Sequence, residues 1–139
     1  MRALSEYKGA AGIGPEVTGR ALVASDGFSA RYDLDRIQGV FSRPTHKLVG
    51  QSYVDRILVL DIAKGGVATA WMLHEMVKME KAPLALILNR ANPVMAQGAA
   101  FGDVPLIDRF DVDITTVLRT GDLLKVDPRT ATVTVLESG

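Results

Sequence analysis

Three short segments of almost continuous apolar character dominate the middle of the chain and constrain its fold most strongly. They are RILVLDI (Arg56–Ile62), LALILN (Leu84–Asn89) and VPLI (Val104–Ile107). Strands of this kind are typical of a parallel sheet, because both faces of such a sheet are covered. A helical pattern over Val67–Met79 separates the first two segments, and Asn92-Pro93 begins a shorter predicted helix before the third. This order predicts a small parallel sheet with right-handed crossovers.

The two ends of the chain have a different character. GRALVAS (Gly19–Ser25) is a predicted strand, and Thr120–Leu136 predicts a hairpin that turns at Asp127-Pro128-Arg129. Residues 1–18 are rich in Gly, Ala and Ser and lack periodicity, so we expect a loosely ordered N-terminal arm. We therefore predict one domain over residues 1–139 of the α/β class. It combines a small parallel sheet, helices packed on that sheet, and a β-rich layer built from both chain ends.

Composition excludes several classes of function. Sixteen basic residues balance sixteen acidic ones without a basic cluster, which disfavours a nucleic-acid or membrane partner. There is no apolar segment of membrane-spanning length and no signal peptide pattern, so we expect a cytoplasmic protein. The chain has no cysteine, which excludes a thiolate-held metal or iron–sulfur cluster within it. His46 and His74 are far apart in sequence, so we expect no metal site in this chain.

The turn Lys64-Gly65-Gly66 joins the first buried strand to the predicted helix. Glycine lets the backbone approach a ligand closely, and a helix N-terminus favours an anion. However, the chain has neither the P-loop pattern nor the dinucleotide-binding G-x-G-x-x-G pattern at this point. An anion-binding loop and a tight turn without a ligand both remain open from this feature alone.

A wider series of motifs supports the first interpretation. GPEVTGRALVAS, HKLVGQS, ILVL, the glycine turn, APLALIL, VMAQGA, VPLI and TGDLLKVD follow one another between Gly14 and Val135. In this order they resemble the swivelling domain of the aconitase X family. The resemblance implies a swivelling β/β/α fold, which agrees with the architecture predicted above.

The resemblance also implies an activity. Enzymes of this family are hydro-lyases that dehydrate either cis-3-hydroxy-L-proline or 5-phosphomevalonate. The swivelling domain can be a separate small subunit, and the large subunit carries the iron or iron–sulfur centre. We therefore expect a heterodimer in which this chain closes over the active site of its partner. We expect cis-3-hydroxy-L-proline as substrate, with 5-phosphomevalonate as the alternative.

The family resemblance suggests individual site residues. Many members carry a serine-rich segment after the loop glycine, but Gly66-Val67-Ala68 stand there in this chain, and Thr69 is the nearest hydroxyl. Thr69 is therefore the candidate catalytic residue, although backbone N–H groups and the partner could replace it. Ser29 matches a family serine. His46, Leu48 and Gly50 match an H-x-L-x-G segment, in which we expect His46 to close a structural turn.

Position in the predicted sheet adds further candidates. Asn89 and Arg90 follow the second buried strand, and Lys64, Gly65 and Gly66 follow the first, so both groups share the edge where ligands bind in α/β sheets. Arg31 is a candidate because a guanidinium pairs with two oxygens of a carboxylate. We assign substrate binding to Ser29, Arg31, Lys64, Gly65, Gly66, Asn89 and Arg90. A non-catalytic ligand-binding domain and a phosphohistidine carrier remain the alternative functions.

Overall fold

Seven strands in the described part of the chain form one closed barrel. The computed structural model describes residues 5–28, 33–63, 67–91, 99–100 and 103–139, and it describes the backbone only for residues 67–71. The barrel strands are β1 (Ser5–Ile13), β2 (Val17–Val23), β5 (Ile57–Ile62), β6 (Ala85–Arg90), β7 (Leu106–Phe110), β8 (Leu123–Asp127) and β9 (Thr132–Glu137). The chain also has a two-stranded sheet, β3 (Leu34–Asp35) and β4 (Val40–Phe41), and the helices α1 (Val67–Lys78) and α2 (Ile114–Val117).

The barrel has a parallel half and an antiparallel half. Strands β2, β5, β6 and β7 are parallel neighbours, as the apolar segments predict. The C-terminal hairpin of β8 and β9 joins this half through β2. Strand β1 completes the ring, because its first part pairs with β9 and its second part pairs with β7. The β-rich part expected from both chain ends is therefore present as the antiparallel half, but it is not a layer of its own, because it closes into one barrel with the parallel strands.

The expected loose N-terminal arm is wrong, because Ser5–Ile13 forms β1. Glycines allow this strand to lie very close to its neighbours. An added Cβ atom on Gly12 would clash with the carbonyl oxygen of Pro128, and one on Gly9 would lie 2.6 Å from a side-chain methyl of Ile107. Gly and Ala give a strand little hydrophobic alternation, which is why the sequence pattern does not identify it.

Two apolar clusters explain the continuous apolar strands. Ile57, Val59 and Ile87 point into the barrel, where they join side chains of β7, β8, β9 and α2. Their neighbours Leu58 and Leu60 point outward into a cluster that includes residues of α1. Each central strand is thus covered on both faces, as predicted. The helix predicted over Val67–Met79 ends one residue earlier, and the one predicted from Asn92 lies mostly outside the described residues.

In the described part of the chain, no helix is both long enough and apolar enough to span a bilayer.

Candidate active site at the carboxyl edge of the parallel strands

Three chain segments leave the parallel sheet at one edge, side by side. Phe28 pairs with Ala63 in a parallel bridge, and the N–H of Phe28 donates to the carbonyl oxygen of Ile62 at 2.9 Å. The N–H of Ala63 in turn donates to the carbonyl oxygen of Arg90 at 3.0 Å. The segment carrying Ser29 and Arg31, the glycine turn, and the segment after Arg90 therefore begin at neighbouring points. This edge is where the sequence predicts a site.

Most of the predicted site residues themselves lie outside the described residues. This holds for Ser29, Arg31, Lys64, Gly65 and Gly66. Thr69 lies in the first turn of α1, where the backbone alone is described. The first N–H groups of a helix have no partner within it, and its N-terminus carries a partial positive charge. Helix α1 therefore begins at this edge with the polarity that favours an anion, and the roles of the six residues remain predictions.

Asn89 is described, and its side chain joins two elements of this edge. Its amide nitrogen donates to the carboxylate of Asp61 at 2.9 Å and to that of Asp113 at 2.8 Å. Its amide oxygen accepts from the N–H of Ile114, at the start of α2, at 2.9 Å. Both donor hydrogens of the amide are thus engaged within the protein. Asn89 holds β5, β6 and α2 together, whatever it also contributes to binding a substrate.

Asp113 caps α2 beside Asn89. Its carboxylate accepts from the hydroxyl of Thr115 at 2.7 Å and from the N–H of the same residue at 3.1 Å. The Thr115 hydroxyl also lies 2.8 Å from that of Ser25. Hydrogen bonds from Thr115 and Asn89 lower the pKa of Asp113 below its ordinary value, despite the opposing effect of burial. This edge therefore carries a fixed negative charge near neutral pH.

Arg90 lies at the open end of the same edge. It is exposed and stands opposite Ile62 in the pairing of β6 with β5. Ile62 is also 43% exposed, which is unusual for a strand residue next to the core. An exposed guanidinium beside an exposed apolar side chain suits contact with an anionic ligand or with a partner protein. The predicted role of Arg90 in substrate binding remains a prediction.

Residues 6–135 match the family described as the aconitase X swivel domain. The chain belongs to this family. Among its relatives, the phosphomevalonate dehydratase small subunit of Methanococcoides burtonii is 32% identical over 119 residues, which cover 86% of this chain and 87% of the relative. The small subunit of the same name from Thermococcus kodakarensis is 30% identical over 134 residues, or 96% and 98% of the two chains.

A solved structure of the aconitase X family has the same fold. The crystal structure of Thermococcus kodakaraensis aconitase X in its holo form superposes with a TM-score of 0.88 at 29% identity. The match covers 96% of this chain and 99% of the other. The resemblance inferred from the motifs is therefore confirmed, and the closed barrel is the form that the swivel domain takes here.

Several polar residues of this swivel domain are not among the predicted site residues. Asp61 and Asp113 hold Asn89, while the buried Asp108 accepts a hydrogen bond from the N–H of Ala91 at 3.1 Å. Asp61 could have been noticed as the single charge near the end of an apolar strand. Asp113 precedes the short helix in the way an N-cap residue does. The sequence gives no comparable signal for Asp108.

His46 has a structural position in this swivel domain. It is buried and stacks on Phe41 with ring centroids 4.5 Å apart. Its Nε2 lies 2.9 Å from the carbonyl oxygen of Gly27, and its Nδ1 accepts from the N–H of Leu48 at 3.0 Å. These partners select the tautomer protonated at Nε2. With both ring nitrogens engaged, His46 closes a turn, as expected.

The described residues offer no cluster of three or more His, Asp or Glu side chains that could hold a metal ion. Carboxylates are present at the edge, but they face Asn89 and backbone N–H groups. The iron or iron–sulfur centre expected in a large subunit remains a prediction about that partner.

Proposed function

We propose that this chain is the small subunit of a cytoplasmic, heterodimeric phosphomevalonate dehydratase. One observation carries the proposal: near-full-length relatives from Methanococcoides burtonii and Thermococcus kodakarensis have the name of that subunit. Our main expectation from the sequence, cis-3-hydroxy-L-proline, has no support among these relatives. The alternative substrate, 5-phosphomevalonate, is therefore the one we propose.

The reaction is the removal of water from a hydroxy-acid. A base takes the proton from the carbon next to the carboxylate, and the hydroxyl leaves from the neighbouring carbon. An iron centre in the large subunit would supply Lewis-acid assistance to the leaving hydroxyl. The substrate carries both a carboxylate and a phosphate, so the small subunit needs groups that bind anions.

The carboxyl edge of the parallel strands has groups of the required kind. Lys64 and Arg31 belong to segments that begin there, Arg90 is exposed there, and α1 begins there with its positive end. A swivel domain that closes this edge over the partner would exclude water and complete the anion-binding shell. We propose that the proton is taken by a group on the large subunit, with Thr69 in a secondary role.

The test is reconstitution with the large subunit of the same organism. The purified pair is offered 5-phosphomevalonate and cis-3-hydroxy-L-proline separately, and loss of water is followed by mass spectrometry. We expect turnover of 5-phosphomevalonate by the pair and none by either chain alone. Turnover of hydroxyproline only would refute the proposed substrate. A chain that does not bind the large subunit, but binds a small ligand alone, would instead support a non-catalytic ligand-binding domain.

A variant tests the anion-binding role of the glycine turn. Lys64→Ala is expected to raise the KM for 5-phosphomevalonate about tenfold or more, since one charge-assisted contact is lost. Lys8→Ala is the matched control, because Lys8 is an exposed lysine on β1, which lies outside the parallel half of the barrel. Equal KM values for the two variants would show that Lys64 does not contact the substrate.

A further inference from the structure

Arg109 has a backbone conformation that is unusual for an arginine. Its φ is 60°, in the left-handed region that favours glycine, although it lies within β7. Ile107 points into the barrel, so regular alternation would direct Arg109 inward and Phe110 outward. Instead, Phe110 packs against the inner cluster, and the side chain of Arg109 is 59% exposed. The left-handed residue therefore inverts the alternation and keeps a guanidinium out of the barrel.

This inversion does not require an arginine. Glycine adopts a positive φ without the steric cost that a side chain brings, and asparagine adopts it more readily than arginine does. The side chain of Arg109 does not fill space in the core either, because most of it is exposed. Residues held in such conformations cluster at active sites and ligand contacts. A long cation at this position therefore points to a contact outside the barrel.

The buried carboxylate of Asp108 holds this cation near the carboxyl edge of the parallel strands. Its Oδ1 lies 3.4 Å from Nε of Arg109, and its Oδ2 accepts from the N–H of Ala91 at 3.1 Å. Ala91 follows Arg90, so one carboxylate contacts the guanidinium of Arg109 and the backbone next to Arg90. Strands β6 and β7 are parallel neighbours, with Leu88 opposite Asp108. The two arginines therefore lie on adjacent strands at the same end of the sheet.

The fixed carboxylates of this edge lie on the other face of the sheet. Asp61 and Asn89 each come two residues after a side chain that points into the barrel, so alternation places both on the inner side, where Asn89 binds Asp113. Arg90 and Ile62 are the next residues of their strands and stand opposite each other on the outer side. An anion at Arg90 and Arg109 would thus be separated from Asp61 and Asp113 by the sheet.

Both guanidiniums keep donors that the protein does not engage. The contact of Arg109 with Asp108 is longer than the roughly 2.7–2.9 Å of a strong charged hydrogen bond, and it involves Nε alone. Nη1 and Nη2 of Arg109 have no partner in the described part of the chain, and Arg90 forms no ion pair with a described residue. Phosphate suits such a pair, because each planar fork can bind two of its oxygens.

We propose that Arg109 is a second anion-binding residue, which together with Arg90 holds the phosphate of 5-phosphomevalonate on the outer side of the carboxyl edge. This inference rests on the proposed function and states which end of the substrate these residues bind. Because cis-3-hydroxy-L-proline has no phosphate, the pair also favours one of the two hydroxy-acids over the other. Asp108 is a positioning residue, which orients Arg109 and does not touch the substrate.

The first experiment measures steady-state kinetics of the proposed heterodimer. Arg109→Met should raise the KM for 5-phosphomevalonate about tenfold or more and change kcat less than about threefold, since the phosphate takes no part in the loss of water. Arg129→Met is the matched control, because Arg129 is an exposed arginine in the turn after β8, at the end of the barrel where Val126 pairs with Val17. Its KM should equal that of the wild type. An unchanged KM in Arg109→Met would refute the inference.

A second measurement identifies the part of the substrate that Arg109 binds. Mevalonate, the same hydroxy-acid without the phosphate, serves as a competitive inhibitor of the heterodimer. Its inhibition constant should change less than about twofold in Arg109→Met, while the KM for the phosphorylated acid rises. Equal weakening of both compounds would contradict binding of the phosphate by Arg109.

A glycine variant separates binding from folding. Arg109→Gly removes the side chain and also relieves the left-handed conformation, so its midpoint in urea should equal or exceed that of the wild type. Its KM should rise as in Arg109→Met. A lower midpoint with a normal KM would show that Arg109 acts on the fold alone. If Arg109→Met does not fold, Arg109→Gly takes its place in the kinetic tests, with the same expected results.

Failure of this inference is distinguishable from failure of the proposed function. If the wild-type pair does not dehydrate 5-phosphomevalonate, the function is refuted, and titration calorimetry with inorganic phosphate decides the site. The titration uses the heterodimer, or this full-length chain if the two subunits do not associate. A Kd at least about fivefold higher in Arg109→Met than in the wild type and Arg129→Met would support the site. Equal affinity in all three proteins, or no binding to the wild type, would refute it.

Discussion

Replacing Asn89 by alanine removes three hydrogen bonds that join β5, β6 and α2. Two of them go from the amide nitrogen to the carboxylates of Asp61 and Asp113, and the third goes from the N–H of Ile114 to the amide oxygen. Hydrogen bonds to charged groups contribute about 1.5–3 kcal/mol each and neutral ones about 1 kcal/mol. Asn89 is half-buried and Asp113 is exposed, so water replaces part of what is lost. We therefore expect Asn89→Ala to lower the free energy of unfolding by about 2–3 kcal/mol.

The loss should depend on pH in a defined direction. The pKa of Asp113 is lowered in the folded state by hydrogen bonds from Thr115 and Asn89. A lowered pKa stabilises the fold at pH values above the ordinary aspartate value of 3.8, and this contribution is lost as the pH falls through the folded-state pKa. The difference between wild type and Asn89→Ala should thus be largest near neutral pH and shrink below about pH 4.

Urea unfolding followed by circular dichroism measures this difference directly. Arg90→Ala is the control, because Arg90 is the exposed neighbour and its loss should change stability by less than about 0.5 kcal/mol. A loss below about 0.5 kcal/mol in Asn89→Ala would refute the bridging role. If the same variant instead kept its stability but lost turnover in the proposed heterodimer, Asn89 would act mainly on the substrate.

Three further substitutions test other parts of the structure. The buried hydroxyl of Tyr53 has no hydrogen-bond partner among the described residues. The free energy of unfolding of Tyr53→Phe should therefore equal that of the wild type or exceed it by up to about 1 kcal/mol. Burial also raises the pKa of Tyr53 to about 12, so the absorbance change of one tyrosine in an alkaline titration should occur late and disappear in this variant. Gly12→Ala would place a methyl group in a clash with the Pro128 carbonyl oxygen and should lower the free energy of unfolding, measured in urea, by about 2 kcal/mol or more. Thr69→Ala should lower kcat of the proposed heterodimer less than about tenfold, whereas a thousandfold loss at constant KM would make Thr69 the catalytic hydroxyl.

The parallel half of the fold could be predicted because its sequence signal lies within short, continuous segments. Strands β5 and β6 are apolar on both faces, and that pattern is visible within six residues. Closure of the barrel could not be predicted in the same way. It depends on β1, whose Gly and Ala residues carry no hydrophobic period and are explained only by the close approach of Ile107 and Pro128.

In the candidate site, too, the local pattern could be predicted and the contacts between distant segments could not. Strand ends place Asn89 at the correct edge, but its partners Asp61 and Asp113 are 28 and 24 residues away in sequence. The ion pairs of Arg43 with Asp26 and Asp33 are even less visible from sequence, since these residues look like ordinary polar loop residues until the fold brings them together. The sequence pattern predicts where a residue lies in the sheet, whereas its hydrogen-bond and ion-pair partners depend on the topology of the fold.

The position of β1 in the barrel has a consequence for how the chain folds. Ser5 pairs with Val135 and Ile13 with Leu106, so the first strand has no partner until most of the chain has been synthesised. Such long-range pairing slows folding, and the unpaired edges of β7 and β9 are exposed until the ring closes. If β1 consisted of strongly apolar, β-branched residues, it would promote aggregation during the time before it pairs. The sequence SEYKGAAGI of β1, with its charges and glycines, is a poor template for such association and still fits the closed barrel.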